Sequence, residues 1–134
     1  MTTSTTHPPA AEEQNHAPPD IETMRATALR LLGPDDGPDV LPPAADELDT
    51  LTLALRGHLE LLGPEVERMA GRLDRESIPR YCALACVGEA RGKLRARPGR
   101  GPHGPVAYAR RLARVLNALC DHHEKLPQSG GSRG

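Results

Sequence analysis

Three cysteines and a pair of adjacent histidines are the residues of this chain best suited to chemistry. Cys82 and Cys86 stand one helical turn apart, and Cys120 precedes His122 and His123 by two and three residues. Thiolates and imidazoles are the ligands zinc prefers, and four of them close a tetrahedral site. Cys82, Cys86, Cys120 and either His122 or His123 would form such a set if two helices faced each other there. The spacing lacks the compact pairs of a zinc knuckle, and free cysteine also packs well as a small buried hydrophobe. Core packing is the first expectation for the thiols, and a small metal- or ligand-binding pocket the alternative.

Charge supplies the second candidate. Residues 1–63 hold 3 basic and 11 acidic side chains, a net of −8; residues 64–134 hold 14 and 7, a net of +7. Arg91, Lys93, Arg95, Arg97, Arg100, Arg110, Arg111 and Arg114 follow one another with no acidic residue between Ala90 and Cys120. On a helical hairpin these cations gather near its turn and form a surface for an acidic partner. An acidic protein fits best. Nucleic acid is the weaker candidate, because no aromatic side chains interleave the basic ones to stack on bases. A merely solvated face, balanced by the acidic half of the chain, is the plain reading of the same residues.

No pattern here points to catalysis. His58 sits inside a leucine-rich helical repeat, and a histidine near a helix C-terminus, as at 122 and 123, is favoured by the macrodipole alone. Tyr81 and Tyr108, the only aromatic residues, are expected to face each other in the core. The glycines of RPGRGPHG follow no strand, so they are not a phosphate loop, and no cofactor is implied.

These residues need elements to position them, and the periodicity predicts helices only. Tyr108, Leu112, Val115 and Leu119 recur at i, i+4, i+7 and i+11, with Ala109, Leu116 and Cys120 widening the stripe. A long last helix over 105–126 results. Shorter helices are expected over 20–32, 44–62, 64–73 and 78–96, each bounded by Pro, Gly, Asp or Ser signals. Gly63-Pro64 reads as a stop followed at once by a start. Gly88 and Gly92 imply that another helix comes close to the fourth. No period-two strand pattern exists. The fold class is therefore all-α, a small bundle of about five helices: a tail over 1–19, one domain over 20–126, and a second tail over 127–134. No apolar run approaches the roughly 18 residues of a membrane span, so no membrane partner is expected. The early residues lack a signal-peptide pattern and the thiols suit a reducing compartment, which makes the cytoplasm the expected location. Leu53 and Leu61 lie off the main stripe of their helix and leave self-association open.

Three stretches together carry a family resemblance: LRGHLELLGPEVE at 55–67, IPRYCALACVGEARGKLRA at 78–96 and VAYARRLARVLNALCDHHE at 106–124. The chain resembles a family of small streptomycete proteins of unknown function, loosely labelled natural-product biosynthesis proteins. The resemblance implies company with secondary metabolism, but no activity and no site residues.

Overall fold

The computed structural model describes residues 18–37 and 39–127, so the two expected tails fall almost wholly outside the described residues. Four helices follow in order: α1 Ile21–Leu32, α2 Ala45–Gly71, α3 Ile78–Arg95 and α4 Gly104–Lys125. The described residues contain no strand, and the fold is all-α.

The helix count is four rather than about five because α2 runs straight through Gly63-Pro64. Proline removes one backbone bond and crowds the carbonyl four residues back. Here both Pro64 and Glu60 are exposed, so water can replace the lost bond. Gly63 has no Cβ to clash with the proline ring, which relaxes the usual restriction on the residue before proline. Packing then outweighs the local signal. Leu55, Leu59, Leu62, Val66 and Met69 are all buried at alternating spacings of four and three, and the stripe crosses the dipeptide without losing register.

The other boundaries follow their sequence signals. Asp20 caps α1, its carboxylate accepting from the Thr23 amide at 3.1 Å and from the Thr23 hydroxyl at 2.7 Å. Ser77 caps α3 through a 3.2 Å bond from the Arg80 amide. Gly33 ends α1 at φ +69° and ψ 178°, a conformation open only to glycine, and an added Cβ would press on Val40 at 2.7 Å.

α4 packs on all three other helices, while α1 and α2 touch only lightly and α1 does not meet α3. All seven residues of its expected apolar face are buried. α3 is rotated from the orientation its spacing predicts: of the Tyr81, Leu84, Val87 and Leu94 edge, Val87 is buried and Leu84 and Leu94 pack against the core, but Tyr81 does not. Its buried side is Ala83, Cys86, Val87 and Ala90, whereas Tyr81 is 75% exposed and does not meet the buried Tyr108. Gly88 and Gly92 face outward, and a Cβ on either meets nothing within 4 Å, so no helix among the described residues approaches there. The outward Ile78, Tyr81, Ala85 and Gly88 are as uncharged as the inward Ala83, Cys86, Val87 and Ala90, and periodicity alone could not choose between them.

Arginines from neighbouring helices hold three helix C-termini. Arg110 of α4 donates to the Leu31 carbonyl at the end of α1 (3.2 Å) and to Val40 (2.8 Å). Arg80 of α3 donates to the Ala70, Gly71 and Leu73 carbonyls at the end of α2, at 3.2 to 3.4 Å. Arg56 of α2 donates to the Leu94 carbonyl at the end of α3 (2.9 Å) and to the Tyr108 hydroxyl, which donates in turn to the Lys93 carbonyl at 3.3 Å. Each places a cation where last-turn carbonyls carry negative charge.

Candidate functional site

The eight cations expected to form one surface divide into two groups. Arg91 is held by Glu67 of α2, at 2.6 and 3.5 Å. Arg114 lies bidentate on Asp36, at 2.7 and 3.1 Å, and its guanidinium keeps the Asp36 carboxyl below the usual carboxylate range. Arg110 serves the backbone at the end of α1, as above. These three brace the bundle.

Lys93, Arg95, Arg97, Arg100 and Arg111 form the other group. None of their side chains has an ion-pair or hydrogen-bond partner among the described residues. All but the half-buried Lys93 are exposed. They occupy the last turn of α3, the connecting turn and the second turn of α4. The Tyr108–Lys93 contact ties these segments together, and Arg111, three residues beyond Tyr108, shares its flank of α4. Backbone geometry adds to the positive field. α4 begins with no acidic residue in its first turn and no side-chain bond from its N-cap, His103, so its positive dipole end is not offset. The negative end of α3 is offset by Arg56. Gly104 allows this turn to close: a Cβ there would lie 1.9 Å from the Gly99 carbonyl oxygen.

The cysteine–histidine set does not assemble. Cys86 and Cys120 are buried and Cys82 is exposed, and no three His, Cys, Asp or Glu side chains among the described residues are grouped to hold a metal ion. Burial pushes the Cys86 and Cys120 thiols up to about 11, far from the thiolate that metal binding or nucleophilic attack requires. Two shallow grooves, of about 350 and 430 Å³, lie instead between α1 and α4 and share Gly33, Pro34 and Asn117. His58 is half-buried, its Nε2 3.3 Å from the Thr27 hydroxyl, and desolvation lowers its pKa although Asp20 opposes the shift.

With this geometry in place, the chain can be set beside known proteins. The family model for DUF6415, described as a family of unknown function, matches residues 22–128. The chain belongs to the DUF6415 family. The matched span begins in the first turn of α1 and ends beyond α4, so the DUF6415 fold includes all four helices and the basic turn. No curated protein and no solved structure matches this DUF6415 chain. No helix among its described residues is long and apolar enough to cross a membrane.

Sequence reasoning missed Arg56 and Arg80 as bracing residues. Neither carries a local signal, because the carbonyls they serve belong to other segments of the chain.

Proposed function

We propose that this DUF6415 protein is a non-catalytic interaction or regulatory accessory protein that meets an acidic protein partner through the α3–α4 turn. The observation that carries this reading is the separation of the cations: Lys93, Arg95, Arg97, Arg100 and Arg111 are left without partners among the described residues, while Arg91, Arg110 and Arg114 are engaged. Unpaired guanidinium groups favour planar carboxylates, which they bind bidentately. The only well-exposed aromatic side chain, Tyr81, stands at the opposite end of α3, which supports a protein partner over a single-stranded nucleic acid. The resemblance to proteins labelled for natural-product biosynthesis supports an accessory place in secondary metabolism, and the free thiols fit the cytoplasm.

Fluorescence anisotropy with a labelled polyglutamate peptide, and with duplex DNA in parallel, tests the reading. Polyglutamate is expected to bind, to weaken as salt rises, and to be lost in an Arg100→Glu/Arg111→Glu variant. Binding that this variant retains, or none at all, overturns the proposal. Preference for the duplex replaces the protein partner with nucleic acid.

A further inference from the structure

α3 carries an ordered face that nothing among the described residues covers. Ile78, Tyr81, Ala85, Gly88, Gly92 and Arg95 follow one another at spacings of 3, 4, 3, 4 and 3, the seven-residue repeat that keeps side chains on one line of a helix. All six are exposed, Ile78 at 72% and Tyr81 at 75%. They lie opposite the buried Ala83, Val87 and Ala90.

We infer that the occupant of this face is α3 of a second copy of the chain, packed antiparallel across a two-fold axis. The spacing reads the same in both directions about the midpoint between Ala85 and Gly88. Reversing one copy sets Tyr81 against Gly92, Ala85 against Gly88, and Ile78 against the alkyl stem of Arg95. Large side chains occupy one half of the line and glycines the other, so each tyrosine fills the space its partner's glycine leaves. Parallel pairing would instead set tyrosine on tyrosine and glycine on glycine.

Charge gives the same answer independently. Asp74 and Glu76 precede the Ser77 cap, and Arg95 and Arg97 stand at the far end; all four are exposed and make no ion pair among the described residues. Glu76 and Arg97 are equally far from the midpoint. Antiparallel pairing brings them together, whereas parallel pairing puts like charge on like; in the dimer Lys93, Arg100 and Arg111 are then the cations left to an acidic partner. A two-fold contact of this kind uses the same patch on both copies and closes at the dimer. One helix pair buries an area at the low end of specific interfaces, below about 1,200 Å² in total, so the dimer should be weak and its population should rise with protein concentration.

Sedimentation equilibrium of the full chain tests this. A monomer–dimer equilibrium is expected, and Gly88→Arg should leave only monomer. Because a Cβ at 88 meets nothing within 4 Å among the described residues, that variant should keep the parent's helical circular dichroism, which separates lost pairing from lost folding. Glu76→Arg and Arg97→Glu should each weaken the dimer, and the double exchange should restore it. A chain that stays monomeric at every concentration reached overturns the inference, as does a dimer that survives Gly88→Arg. Failure of the double exchange to restore pairing overturns the antiparallel register. Arg100→Glu/Arg111→Glu should leave the dimer intact, so the fate of this inference is read separately from that of the acidic-partner reading.

Discussion

His58 sits where α1 meets α2, with the Thr27 hydroxyl on its Nε2 and the Asp20 carboxylate close enough to be felt. Desolvation lowers its pKa from the ordinary 6.5, and the folded state therefore prefers the neutral ring. As pH falls, the unfolded chain takes up the proton first, so folding stability is complete above 6.5 and declines below it toward the lower folded value. Thermal melts across this window should show a falling midpoint, and His58→Gln should flatten that part of the profile; an identical profile in the variant would remove His58 as the cause. The cations show how much of a single side chain's role the sequence conveys. All eight were visible as a run without acidic residues, yet their engagement was not. Arg91, Arg114 and Arg110 find partners 24, 78 and 79 residues away, and no local pattern records such distances. Of the three thiols expected in the core, Cys86 and Cys120 are buried, but Cys82 is exposed because α3 turns its side of the helix outward.

At the scale of the helix, Gly63-Pro64 is the instructive case. Both residues are strong punctuation, and the stop-and-start they predict is sound local chemistry. The structure resolves the conflict through five buried apolar residues, three before the dipeptide and two after it, which hold one register only if the helix continues. That register was readable in the leucine spacing but was divided between two expected elements. The proline nevertheless remains a cost to α2. Pro64→Ala should restore a backbone donor at an exposed interior position and raise stability by about 1–3 kcal/mol, as chemical denaturation would measure. A neutral or destabilising result would mean the helix does break there. α3 shows the complementary failure. Its element was correctly placed within one residue, but its orientation was not, since Tyr81 and the glycines belong to the outward side. A helix with small uncharged residues on both sides needs its neighbours to say which side is inside.

For the whole molecule, the class of fold followed from composition and periodicity, and α4 is the helix that every other helix packs on, with the apolar face its spacing predicted. The arginine contacts at the helix ends were not legible, and they change how the bundle should come apart. α3 secures the end of α2, α2 secures the end of α3, and α4 secures the end of α1. In small helical proteins the last turn usually opens alone, and its amide protons exchange with solvent long before the core does. Here the final turn of one helix cannot loosen without releasing a side chain that belongs to another. Arg56→Met keeps a long stem in place but removes the donors to Leu94 and to the Tyr108 hydroxyl. Its expected cost is about 1–2 kcal/mol. Hydrogen exchange should then show the last turn of α3 opening faster than the rest, while the ends of α1 and α2 keep the parent's rates. In the parent chain, the amides of all three braced ends should exchange at rates close to those of the central core: at these ends solvent enters with the opening of the bundle rather than ahead of it.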